Sequence, residues 1–152
     1  MKLSNALAPD RIELNLSSTV RNEVIKEMIA LMNRSMTLSD PDVLFRRILD
    51  QEAIKTSGVD RGVAIPHARS DDIDGVVVAL GISRPGLDFQ SLDGQPVHLI
   101  FLILSSEAAM PAYMSVLSRT ARIFHRPEMA QKVLDASSPD EIIALIRDQE
   151  PI

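Results

Sequence analysis

Cysteine and tryptophan are both missing from this chain of 152 residues. Without cysteine there is neither a disulfide framework nor a thiolate metal site, and the lack suits a cytoplasmic protein. Aromatic residues make up only 3% of the chain, so no stacking platform for bases or sugars is supplied. Basic charge is short as well. Sixteen Lys and Arg stand against 21 Asp and Glu, a formal net charge of −5. Nucleic-acid binding needs the opposite, a basic stripe. The longest apolar run, VHLIFLIL, is far short of a membrane span, so no membrane insertion is expected. The opening MKLSNALAPDRIEL contains no uninterrupted apolar stretch, so no signal peptide is expected. The glycine signatures of dinucleotide folds and phosphate loops are absent, and so is the GxSxG nucleophile elbow.

What is present reads as a single domain over residues 1–152, with 45% apolar residues and 24% charged residues, enough to bury a core. The class is α/β. Arg11–Leu16 alternates polar and apolar residues and predicts a short strand. Ser17–Thr19 offers caps for a helix whose buried face is Val20, Val24, Met28 and Leu31, widened by Ile25, Ile29 and Met32. Ser39–Asp42 starts a second helix with Pro41 in its first turn, facing the core through Val43, Leu44, Ile48 and Leu49. Val76–Ile82 and Val97–Leu104 are apolar on both faces, as central strands covered on two sides must be. Between them, RPGLDF and LDGQP read as turn-rich loops. After Ser106 the period becomes helical through Met110, Met114, Leu117, Ala121 and Phe124. A capping box of Ser138 and Glu141 opens the last helix. A central sheet with helices on both faces buries this order of elements.

Chemistry has few places to sit. Of the three histidines, His98 opens an apolar strand and reads as a strand-end residue with one ring nitrogen bonded to backbone. His125, beside Arg126 at a helix end, reads as dipole compensation. A metal pair of His67 and Asp71 needs a helix that Pro66 disfavours, and no metal site is expected. The acidic turn Ser70–Gly75 reads as solvated.

His67 stands apart, in GVAIPHARS. Pro66 fixes its own φ and extends Ile65, so the imidazole is aimed by stiff backbone. Ala68 leaves room for a large approach, and Arg69 brings a guanidinium fork suited to phosphate oxygens. An unprotonated imidazole nitrogen can attack phosphorus and pass the group on, given donors around the phosphoryl oxygens. On the residues alone, His67 is either such a nucleophile or a structural histidine in a loop.

At GVAIPHAR the chain resembles the enzyme IIA domains of the phosphotransferase system, of the fructose/mannitol type, including the nitrogen-regulatory IIA proteins. ILDQEAIKTSGVDRGVAIPHAR, VVALGISRPGLDFQSLDGQPVHLIFLILSS and SPDEIIALI carry the resemblance from about Leu3 to Asp148. The resemblance implies a three-layer α/β/α sandwich around a central mixed sheet. It implies that His67 takes a phosphoryl group, originating in phosphoenolpyruvate, from HPr or its nitrogen-branch relative. The group then passes to a IIB domain in sugar uptake, or signals to transporters and regulators by phosphorylation state, as in the nitrogen type, which is the closer in character. No metal or organic cofactor is implied.

The chain departs from the family at three positions. Gln51-Glu52 stands where the family usually has Arg-Glu, so a neutral donor replaces a cation expected to meet the phosphoryl group. Tyr113 stands where a second histidine is common; it donates one hydrogen bond but carries no positive charge, and its plain reading is a helix residue at the core edge. Ser57 keeps the hydroxyl of the usual threonine. Arg69, Ser57, Gln51 and Tyr113 are the expected phosphate neighbours, with Arg61 as another source of charge. Two expectations follow: a phosphoryl carrier that docks through an apolar patch around His67, or a non-phosphorylated regulatory binding module with a degenerate site.

Overall fold

A computed structural model describes residues 1–58 and 61–150; Val59 and Asp60 of the quoted family segment lie outside them. The elements in order are helix α1 (Leu3–Ala6), a 3-10 turn (Pro9–Arg11), β1 (Ile12–Glu13), α2 (Arg21–Ser35), α3 (Pro41–Ile54), β2 (Val63–Ala64), β3 (His67–Arg69), β4 (Val76–Leu87), β5 (Val97–Ser105), α4 (Met110–Phe124), α5 (Pro127–Asp135) and α6 (Pro139–Asp148).

The sheet grows around the two apolar runs. β4 and β5 pair antiparallel, with Val78 opposite Ile103 and Leu80 opposite Phe101. β1 lies parallel to β4 on one side, and β2 and β3 lie parallel to successive parts of β5 on the other. The sheet is therefore mixed. Alternation along each strand sends side chains to opposite faces. Val76, Val78, Leu80 and Ile82 join Leu99, Phe101 and Ile103 against α1, α4, α5 and α6. Ala79, Ile100, Leu102 and Leu104 face α2 and α3. Both faces are dry, which is why neither run shows a polar alternation. The result is the three-layer α/β/α sandwich.

Local expectations were met unevenly. α2 buries Val24, Ile25, Met28, Ile29, Leu31 and Met32 as its spacing predicts. Asp40 caps α3 by accepting from the Val43 amide. Val20 and Val43, expected in the core, are 60% and 40% exposed. Val20 precedes α2 in extended backbone, and Val43 lies off the Leu44–Ile48–Glu52 face that α3 buries. The expected strand Arg11–Leu16 shrinks to Ile12–Glu13, because Pro9 starts a 3-10 turn that takes Arg11. β4 runs on through Arg84, Pro85 and Gly86, which had read as loop. Its register breaks there, and Gly86 sits at φ 80 with a Cβ site only 2.8 Å from the His98 ring. His98 itself hydrogen-bonds the Ser83 carbonyl through Nδ1, as a strand-end histidine should. In α6 the cap is split: Ser138 accepts from the Glu141 amide, but the Glu141 carboxylate returns to Ser137.

Helix α4 is the helix that the period after Ser106 predicts. Its buried residues are Val116, Thr120, Ile123 and Phe124, with the Phe124 ring 4.9 Å from Phe101. Of the five residues that carry the helical spacing, Phe124 is the buried one. Met114 is 52% exposed, Ala121 is exposed, and Met110 and Leu117 are half-buried. Met110, Leu117 and Ala121 border the site, and Leu117 also packs against the core.

Candidate functional site: an imidazole between two clefts

His67 begins β3 with its Cα paired to Ile103. The segment before it runs along the outer edge of β5, the position in a sheet where a proline costs no ladder bond. The Pro66 carbonyl still accepts from the Ile103 amide at 3.0 Å, so the proline is pinned although it cannot donate. The Ile65 carbonyl is turned to the imidazole and meets His67 Nδ1 at 3.1 Å. A carbonyl only accepts, so Nδ1 carries the proton of the neutral ring. Nε2 then keeps its lone pair. The sequence-level idea of an aimed imidazole thus acquires a specific atom.

The hydrogen bonds that hold this ring extend backward into α3. Ile65 donates its amide to the Ser57 carbonyl at 3.1 Å. Ser57 donates its own amide and hydroxyl to the two oxygens of Glu52, at 2.7 and 2.6 Å. Glu52 is only 6% exposed. A buried carboxylate is tolerable there because the two donors satisfy it. Helix α3, the Ser57 turn, Ile65 and the imidazole are thereby one continuous hydrogen-bonded path. The Ser57 hydroxyl proton is committed to Glu52.

Two clefts meet at the ring. The first, about 620 Å³, is lined by Arg47, Asp50, Gln51, Arg69, Met110 and Tyr113 together with His67. The second, about 410 Å³, is lined by Gln51, Ser57, Pro66, His67, Leu117 and Ala121 among others. Four of the predicted neighbours, Gln51, Ser57, Arg69 and Tyr113, therefore lie with His67 on the walls of these clefts. Arg61 does not: it lies on a separate cleft with His98 and Leu134.

The electrostatics are mixed. Arg69 reaches Glu107 at 3.8 Å in an exposed ion pair, a weak contact that a stronger anion can take over. The Tyr113 ring stands 5.7 Å from the imidazole, tilted by 47°. Burial raises the Tyr113 pKa above its ordinary value, with the Arg69 charge opposing. The phenol therefore stays protonated at neutral pH and can donate. No group of three or more His, Cys, Asp or Glu side chains capable of holding a metal occurs among the described residues. Asp72, in the acidic turn, is instead held by the Ser39 amide and hydroxyl.

Sequence reasoning missed Arg47 and the part played by Glu52. Arg47 donates from Nη1 to the Arg69 carbonyl at 3.2 Å. It is four residues before Gln51 on one helix, so the two share a face. That spacing was visible in the sequence; what was not visible was that this face of α3 borders His67.

An imidazole with a fixed tautomer, set among cations and neutral donors in a water-accessible cleft, can hold a transferable anion such as a phosphoryl group. Comparison with known proteins agrees with this class. Residues 5–149 match the family described as "Phosphoenolpyruvate-dependent sugar phosphotransferase system, EIIA 2", and the chain belongs to that family. It is 35% identical over 150 residues to a PTS system fructose-specific EIIABC component of Bacillus subtilis, covering 99% of this chain but only 24% of that protein. It is 30% identical over 149 residues to a nitrogen regulatory protein of Bradyrhizobium diazoefficiens, covering 95% of this chain and 96% of that one. The crystal structure of the nitrogen regulatory protein IIA-Ntr from Neisseria meningitidis superposes with a TM-score of 0.86 at 28% identity, over 95% of this chain and 98% of that chain.

Proposed function

We propose that the protein is a phosphoryl carrier and regulator in which His67 Nε2 accepts a phosphoryl group from an HPr-type or nitrogen-type histidine phosphocarrier. The observation that carries the reading is the Nδ1 contact to the Ile65 carbonyl, which leaves Nε2 as the nucleophile. The Nε2 lone pair forms the new N–P bond as the donor's N–P bond breaks. The bonding pair returns to the donor imidazole, which takes up a proton from water. Nothing is oxidised or reduced. Arg69, Gln51 and Tyr113 are the donors available to the phosphoryl oxygens, and Ser57 acts by holding the turn.

The group then passes to a IIB domain or is read by a regulated transporter or regulator through direct binding. The nitrogen-regulatory form is favoured by the close superposition on IIA-Ntr. A cytoplasmic location goes with these partners. The docking surface is built on Met110 and the exposed Met114 of α4, beside the half-buried Leu117 on the cleft wall. A carrier laid on that apolar face brings two imidazoles together and excludes water from the transfer.

The test is incubation with phosphoenolpyruvate, enzyme I and the phosphocarrier. The expected product is an acid-labile, alkali-stable phosphoprotein, and His67→Ala should abolish the label with the circular dichroism spectrum unchanged. A wild-type chain that stays unlabelled with every carrier of its own host would sink the reading.

A further inference from the structure

Gln51 is neutral, and Arg69 is shared with Glu107, so the cleft around His67 looks short of positive charge for a dianion. Helix α3 supplies another cation. Arg47 lies one turn before Gln51 and lines the same cleft as His67, Arg69 and Tyr113. Its guanidinium is tethered by a single bond to the Arg69 carbonyl, at the end of the strand that His67 begins. A guanidinium has five N–H donors, so four remain. No carboxylate lies within 4.0 Å of Arg47 among the described residues, whereas Arg69, Arg119 and Lys26 each have an acidic partner at that range. Among the described residues on the wall of that cleft, the one carboxylate is Asp50, the neighbour of Gln51 on α3. A cation anchored by its backbone contact, with most of its donors unspent, is a ready-made partner for an anion that arrives later.

We propose that Arg47 is a binding residue for the phosphoryl group on His67, supplying with Arg69 the charge that Gln51 lacks. The inference rests on His67 being phosphorylated, but not on which carrier does it. Phosphoramidate phosphorylates imidazole directly: its P–N bond breaks as the Nε2–P bond forms, and ammonia leaves. The last ionisation of the phosphoryl group, followed by phosphorus NMR against pH, then reports the cations around it without any partner protein.

Arg47→Gln should raise that ionisation midpoint by about half a pH unit, the effect of one solvent-screened charge a few ångströms away. Arg47→Lys should leave it near the wild-type value. Gln51→Arg added to Arg47→Gln should restore it, although the bond to the Arg69 carbonyl is not restored. This rescue separates a charge on the phosphoryl group from a strut beneath β3. An unchanged midpoint in Arg47→Gln overturns the proposal, and so does a shift that Gln51→Arg does not reverse. If phosphoramidate labels the chain and the shift appears, but no carrier does, the Arg47 role stands and the carrier reading falls. If the carrier labels the chain and no shift appears, Arg47 alone falls. A chain that takes no phosphoryl group from either source overturns both.

Discussion

The hydrogen-bonded path from Glu52 to His67 makes Ser57→Ala the most informative single change. The substitution removes a hydroxyl that donates to the Glu52 carboxylate at 2.6 Å and leaves that carboxylate with the Ser57 amide at 2.7 Å. Glu52 is buried on the wall of the second cleft, so water restores the lost donor only in part. A hydrogen bond to a charged group under these conditions contributes about 1.5–3 kcal/mol. At about 2 kcal/mol, and with a domain of this size losing about 2–4 °C per kcal/mol, Tm should fall by about 4–8 °C. Ser57→Thr keeps the hydroxyl and should lose little. The assay is thermal unfolding of both variants beside wild type, followed by circular dichroism. A second readout bears on function. The same turn holds Ile65, and Ile65 holds Nδ1 of His67. Nitrogen NMR of the ring should therefore show Ser57→Ala moving from a single Nδ1–H tautomer toward a mixture. If Ser57→Ala and Ser57→Thr melt together at the wild-type temperature, the Glu52 clamp contributes nothing and the path is only a geometric coincidence.

Two pH effects follow from the same structure. Tyr113 is the only tyrosine and there is no tryptophan, so its phenolate absorbance can be read alone. Burial raises its folded pKa, so the stability this group contributes is complete below the unfolded value and is lost as pH rises through the folded one. The ultraviolet midpoint should lie above that of free tyrosine, and Arg69→Ala, removing the opposing cation, should push it higher still; a midpoint at or below the free value refutes the burial argument. Asp72 shifts the other way: hydrogen bonds from the Ser39 amide and hydroxyl lower its pKa. Its contribution is therefore present above the ordinary aspartate range and lost as pH falls through the lowered value. Denaturant titrations should show Asp72→Asn less stable than wild type at neutral pH and equal to it in strong acid, and a gap that persists in acid would refute the assignment.

How much of this was legible beforehand depended on what each residue's role rests on. The central strands were readable because a strand covered on both faces needs an unbroken apolar run, and few other elements do. His67 was readable because proline stiffens the chain locally, and the local chain is what a sequence displays. Arg69 was found from its place two residues after His67, Gln51 and Tyr113 through resemblance, and all three share a cleft with the ring. Arg47 and the clamp by Glu52 were not found, because each acts through a contact between α3 and a strand that folding alone creates.

Helix α4 shows what helical spacing leaves open. Met110, Met114 and Leu117 keep helical spacing and are apolar, and periodicity cannot distinguish a stripe that meets the core from one that meets a partner. The buried residues are Val116, Thr120, Ile123 and Phe124, one of them a threonine whose hydroxyl donates to the Val116 carbonyl at 2.8 Å. Leu117 also packs partly against that core, whereas Met110 is half-buried and Met114 is exposed. Met110 and Leu117 line the two clefts that meet at His67. A partly exposed apolar surface beside the His67 imidazole is what the docking carrier of the proposed function would need.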